Sequence, residues 1–189
     1  MTVEEIAEIM AQRLTPKRFK HSLGVAATAV KLAEKNAIST EKAYLAGLVH
    51  DYARELPKQE LLTLAVQVGE DDPVSLASPE TLHAPVGSFL IEQELGISDQ
   101  EILLAVASHT LGRRKMGKLE QIIYLADLIE PNRKFPGVER LRQAAEASLQ
   151  TGIVLAIEHT IKYLVESGKL IHSRTIDARN YLIMEGNSV

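Results

Sequence analysis

The 189-residue chain has no cysteine and no tryptophan, and only three phenylalanines and five tyrosines. Without thiols it can form no disulfide, offer no thiolate to a metal and use no thiol nucleophile, so any metal chemistry must rest on His, Asp, Glu or water. So few aromatics leave a core of Leu, Ile, Val and Ala, a composition that favours packed helices. An excess of basic charge is also lacking: 21 Lys and Arg stand against 25 Asp and Glu, a formal charge of -4. That argues against broad nucleic-acid binding, while leaving room for a small basic pocket around one polyanion. No apolar run approaches the roughly 20 residues of a membrane span. The N-terminal stretch Met1 to Glu8 is acidic where a signal peptide would be basic and then apolar, so the expected location is the cytoplasm. Internal repeats, low-complexity segments and domain boundaries are absent as well. The expectation is one all-α helical domain over residues 1–189, with its core at about 16–182.

What is present reads as a succession of helices. Thr2 and Glu5 form a capping-box pattern, and Thr15-Pro16 opens a second helix running to about Asn36, with Leu23, Ala26, Ala27, Val30 and Ala33 as its apolar stripe. Ser39 or Thr40 caps a third helix, which carries His50 and Asp51. A fourth follows Pro57 and ends at Gly69. Residues 70–79 have the composition of a loop. A helix from His83 to Gly96 comes next, then one opened by Ser98 with Glu101 and closed at His109. Further helices are expected over 119–130, 138–149 and 152–166, and a last one to Leu182, capped by Ser173 or Thr175.

The chemistry-bearing residues are scattered along this series. On a helix, His50 and Asp51 can converge on one ion, and imidazole with carboxylate suits a divalent transition metal; the plainer alternative is a buried His-Asp hydrogen bond. Arg54, one turn on, faces the same space and can grip a carboxylate or phosphate. His21 lies one turn from Arg18, and Gly24 continues that row, leaving room for a close neighbour; a partly exposed polar edge is the alternative for His21. His109 at a helix C-terminus has the dipole as its simple explanation. Asp127 stands in an apolar helical stretch, where an unpaired carboxylate would cost several kcal/mol. Glu130 shares its face, but at a helix end where exposure is easier. His159, between Leu155 and Tyr163, is read as packing or surface. The basic residues Arg113, Arg114, Lys115 and Lys118 are read as solvated surface. The helix start at Ser173 and Thr175, beside His172 and Arg174, either holds an anion or is a plain cap.

The order His21, His50-Asp51, His83, His109, Asp127 resembles that of the HD-domain metal-dependent phosphohydrolases. The stretches His21 to Val25, Ala46 to Glu55, Ser108 to Gly112, Tyr124 to Arg133, and Ile171 to Thr175 with Asp177 to Asn180 resemble, more narrowly, the bacterial symmetrical bis(5'-nucleosyl)-tetraphosphatases. The resemblance implies an HD-type helical bundle, a divalent transition metal (iron, with manganese or another ion as alternatives) and hydrolysis of diadenosine tetraphosphate to two ADP by metal-activated water. His21, His50, Asp51 and Asp127 would hold the metal. His83, His109, Asp51 and Asp127 would serve the chemistry, unless the two histidines hold a second ion. Substrate contacts are implied at Arg18, at Asp51, Tyr52, Ala53 and Arg54, at His83, His109, Thr110, Asp127 and Arg133, and at Leu170, Ile171, His172, Ser173, Arg174 and Thr175. A small-molecule nucleotide is the expected partner, with no nucleic acid and no membrane, and a homodimer is left open. Two alternatives stand beside this reading: another HD phosphohydrolase, acting on a deoxynucleotide, a guanosine polyphosphate or a cyclic dinucleotide, and a nucleotide sensor without turnover.

Overall fold

The longest helix sets the frame. In the computed structural model, which describes residues 1–186, α2 spans Pro16–Lys35. Thr15 caps it by accepting the Arg18 N–H, Pro16 fills the first turn, and Asn36 ends it. Its buried face is His21, Ser22, Val25, Ala26, Ala29, Leu32 and Ala33. The expected stripe is therefore rotated: Leu23 is 38 % exposed and His21 only 8 %. Small residues decide which face goes inward. α3 (Thr40–Val49), capped by Ser39, lies so close to α2 that a Cβ on Gly47 would fall 2.7 Å from the Ala26 Cα. Only glycine permits that approach, and it brings His21 and His50 to one place.

α3 does not carry the His-Asp pair inside it, as expected, but stops at it. His50 is the C-cap, and tight turns follow, with the Tyr52 N–H on the Val49 carbonyl and the Arg54 N–H on the Asp51 carbonyl. α1 (Val3–Arg13) begins with the expected capping box and buries Ile6 and Met10. α4 (Lys58–Gln67) buries Leu61 and Ala65. The expected loop over residues 70–79 contains a short helix, α5 (Pro73–Ala77), because Asp72 accepts the Val74 and Ser75 N–H groups and Pro73 fits the first turn. A 3-10 turn (Pro79–Thr81) leads into α6 (His83–Leu95), which closes on Gly96 at φ 69°.

α7 (Gln100–Ser108) is capped by Asp99 rather than Ser98, the shorter reach of its carboxylate to the Glu101 and Ile102 N–H groups displacing the serine. α8 (Lys118–Ile129) and α9 (Val138–Ala147) follow. α10 (Leu149–Glu166) starts three residues before the expected Gly152, since Ser148 caps it. α11 spans Ser173–Gly186. No strand occurs among the described residues, and the fold is all-α as expected. Side chains from every helix except α5 join in one apolar cluster. In α8, Ile122, Ile123 and Leu125 are fully buried. At about 1.5–3 kcal/mol each, they hold the helix in place against the cost of desolvating Asp127 and Glu130.

Candidate metal centre and active site

Four helix termini and one inner helical turn converge on a single cluster. α2 contributes His21 from its second turn, α3 ends in His50 and Asp51, α6 begins with His83, α7 ends in His109, and the last turn of α8 carries Asp127. All four histidines are oriented from behind. Nδ1 faces Glu130 Oε1 in His21 (3.0 Å), the Gly47 carbonyl in His50 (2.8 Å), the Glu80 carbonyl in His83 (2.6 Å) and the Val106 carbonyl in His109 (2.7 Å). A carbonyl or carboxylate can only accept, so each Nδ1 carries the proton and each Nε2 is turned toward the aspartates. His50 and His109 take their carbonyl from three residues earlier, so a helix C-terminus supplies the orienting group.

The Nε2 atoms crowd the carboxylates. His21 Nε2 lies 2.9 Å from Asp127 Oδ1 and 3.8 Å from Asp51 Oδ2, and His50 Nε2 is 3.4 Å from Asp51 Oδ2. His83 Nε2 is 3.2 Å from Asp51 Oδ1 and 3.0 Å from His109 Nε2. Two guanidiniums flank the cluster: Arg18 Nη1 sits 3.0 Å from Asp51 Oδ2, and Arg133 pairs with Asp127. Burial works to raise both aspartates. The neighbouring His50 and His83 nevertheless hold Asp51 well below the usual carboxylate range, and His21 and Arg133 do the same for Asp127. Burial alone would lower His50, but Asp51 and Asp127 outweigh it and raise it. Burial, reinforced by the charges of His83 and His50, lowers His109 to about 3. Burial thus overrides the helix dipole that the sequence suggested for His109, which is neutral at pH 7.

The donor set fits a divalent ion. His21, His50 and Asp127 bring one ligand atom each within 4.8 Å of one another, and so do His50, Asp51 and His109. Nε2 of His21 and of His50 are buried and form no hydrogen bond, a costly arrangement for groups with no further partner. Nitrogen and carboxylate oxygen without sulfur suit iron, manganese or zinc chemistry, and the partners behind the rings are those that metal-bound imidazoles use.

The HD domain model matches residues 18–132, which hold all six of these side chains. The chain belongs to the HD-domain family. It is 39% identical, over 97% of its length and 98% of the relative's, to a Bacillus subtilis protein named bis(5'-nucleosyl)-tetraphosphatase, symmetrical. A Staphylococcus aureus protein of the same name is 38% identical over 96% and 94%. A Clostridium acetobutylicum crystal structure, described as a predicted HD superfamily hydrolase involved in NAD metabolism, superposes with a TM-score of 0.94, at 41% identity and 98% coverage of each chain.

Around the HD pair the remaining expected residues separate. A cavity of ≈ 260 Å³ is lined by Arg18, Asp51, Arg54, His83, His109, Thr110, Asp127 and Arg133 together with Tyr124 and Thr160. Arg54 donates to the Glu80 carbonyl at 2.9 Å, which leaves its Nη1 3.3 Å from His83 Nδ1, so it stands beside His83 rather than over His50. The Tyr52 side chain turns away, its hydroxyl on Glu94 and its ring under Arg13, and Ala53 is packed close to Gly87. Leu170, His172 and Thr175 line an adjoining cavity of ≈ 450 Å³.

Neither Ser173 nor Thr175 caps α11. His172 Nδ1 accepts the Arg174 N–H at 3.1 Å, and the Thr175 hydroxyl donates to the Leu111 carbonyl. Arg174 holds Glu70 through two contacts at 2.8 and 3.1 Å. Glu130, read as an end residue easily exposed, is 1 % exposed. It accepts from His21 and from the Asn132 N–H and side-chain amide. Its spacing of three from Asp127 was the available signal; the partner 109 residues away was not. His159 stacks on Phe135 at 4.8 Å, away from the cluster.

Proposed function

We propose that the chain is a metal-dependent phosphohydrolase that cuts diadenosine tetraphosphate at its central bridge, giving two ADP, and that residues 1–189 act as one catalytic unit. The observation that carries this is the set of buried histidines, each with Nδ1 tied back and Nε2 turned to Asp51 or Asp127, between two guanidiniums. The names of the Bacillus and Staphylococcus relatives supply the substrate.

In this reading His21, His50, Asp51 and Asp127 hold the ion, taken as iron with manganese as the alternative. When bound, such an ion makes water nucleophilic near neutral pH and draws charge from a phosphoryl oxygen. The protein's part is positioning and charge. Arg18 and Arg133 neutralise the reacting phosphoryl group and its neighbours, and their forked geometry suits phosphate oxygens. A proton between His83 Nε2 and His109 Nε2, 3.0 Å apart, serves both nitrogens, and the pair delivers it to the oxygen leaving with ADP. Water adds to one central phosphorus, and the bond from that phosphorus to the bridging oxygen breaks. The adjoining cavity bounded by Thr110, Leu111, His172 and Thr175 takes one adenosine. Its volume lies in the range of small-molecule sites. The cytoplasm, where nucleotides are made and used, is the location this reading takes.

The test is product analysis with the metal-loaded protein. Diadenosine tetraphosphate should yield ADP alone, oxygen-18 from water should appear in a terminal phosphate of one ADP, and chelation should stop turnover. NAD, whose metabolism the Clostridium protein's description invokes, should remain intact. Early ATP plus AMP, or full activity without metal, would overturn the proposal.

A further inference from the structure

A third cavity, ≈ 440 Å³, opens where α2 begins, against the loop between α8 and α9. It shares Arg18 and Arg133 with the central cavity and is lined by His21, but it has no residue in common with the cavity at α11. The centre is therefore flanked by two separate spaces. They differ in charge. Lys17, Arg18, Arg133 and Lys134 all line the one at α2. Its two carboxylates are already engaged: Glu55 accepts the Thr15 N–H and hydroxyl, and Glu130 holds His21 and Asn132. Lys17 and Lys134 have no ion pair or hydrogen bond within the described residues, and Phe135, backed by His159, forms part of the wall.

A substrate with two identical nucleoside-diphosphate arms, cut in the middle, must extend both ways from the reacting phosphorus. We infer that the cavity at α2 is a second nucleotide subsite, which takes the other nucleoside-diphosphate half. Lys17 and Lys134 bind its phosphates and Phe135 meets its base; the inference rests on the proposed function. Phosphate contacts by two exposed, solvent-screened cations give strength without fixed geometry, which suits a half that must depart as product. The first subsite, less rich in charge, gives the orientation.

The experiment uses the metal-loaded protein, with ADP, diadenosine tetraphosphate and adenosine 5'-tetraphosphate as probes. Calorimetry with ADP should find two sites per chain in the wild type and one in the Lys17→Ala/Lys134→Ala double variant, at unchanged metal content. The double variant should raise KM for diadenosine tetraphosphate about tenfold, as expected for two screened charge contacts. Phe135→Leu should raise KM for diadenosine tetraphosphate but not for adenosine 5'-tetraphosphate, which lacks the second nucleoside. A single ADP site in the wild type, or an unaltered KM in the double variant, would overturn the subsite. If the wild type leaves diadenosine tetraphosphate uncut, the proposed function fails instead, and the ADP stoichiometry still decides the subsite.

Discussion

Replacing Glu130 by Gln tests whether a carboxylate already engaged by His21 and Asn132 governs the metal centre. The substitution keeps volume and changes charge and donor pattern. Glu130 accepts three hydrogen bonds at once: 3.0 Å from His21 Nδ1, 2.7 Å from the Asn132 N–H and 2.9 Å from the Asn132 amide. Asn132 sends both of its donors to Oε2 and His21 sends one to Oε1. A Gln at 130 can therefore accept from only one of these sides, and its NH2 must face a donor on the other. Losing charge-assisted hydrogen bonds worth about 1.5–3 kcal/mol each, in a residue 1 % exposed, should destabilise the fold by roughly 2–4 kcal/mol. Freed from its carboxylate, His21 should lose its fixed tautomer, and metal affinity should fall about 10- to 100-fold. Chelator competition gives the affinity, and urea unfolding of the chelated protein gives the stability. Wild-type affinity in Glu130→Gln, with His21→Ala still abolishing binding, would refute the idea that the ring is held from behind. Gly24→Ala offers an independent route, since its Cβ would lie 2.6 Å from Glu130 Oε2 and push the carboxylate aside.

Asp51→Ala should remove bound metal, checked by elemental analysis, while circular dichroism keeps its helical signal. Gly47→Ala, with its Cβ 2.7 Å from the Ala26 backbone, should cost about 1–3 kcal/mol in urea unfolding or prevent folding, because a main chain cannot swing away as a side chain can. Arg174→Ala leaves Glu70 buried without its partner. Because the arginine is half exposed, about 1–3 kcal/mol in unfolding, rather than the full cost of a buried pair, is expected. His109, at about 3 in the folded protein, lies below its unfolded value near 6.5, so its contribution is full above that value and shrinks as pH falls toward 3. Between pH 7 and pH 5 the chelated wild type should lose about 2 kcal/mol more than His109→Gln. Equal slopes would contradict a neutral His109.

The fold class and the cluster were legible in the sequence because each depends on local pattern or residue order. Capping at Thr2 and Thr15 is a matter of a few neighbouring residues, and the structure keeps both. His21, His50-Asp51, His83, His109 and Asp127 do meet. What stayed hidden depends on partners distant in the chain. Glu130 is buried because His21 needs it, and Arg174 faces Glu70 rather than open space, contacts spanning 109 and 104 residues. α2 shows the same limit: Leu23 fits a helical stripe as well as Val25 does, and only the close approach of Gly47 to Ala26 decides which is buried. Asp99 outcompetes Ser98 as a cap, a choice between neighbours that local pattern leaves nearly balanced.

The wall of the α11 cavity has a consequence for the order in which the protein comes into being. Every side chain of the cluster, with Glu130 behind it, has been synthesised by residue 130, whereas His172 and Thr175 come 42 and 45 residues later. At about 5–20 residues per second, the nascent chain spends several seconds with its histidines and aspartates complete and this side of the site open. Metal loading and completion of the α11 side of the site are thus separable stages of biogenesis. A chain arrested between residues 135 and 170 should take up its ion yet bind one ADP rather than two, until Arg174 reaches Glu70 and Thr175 reaches the Leu111 carbonyl to close the α11 side.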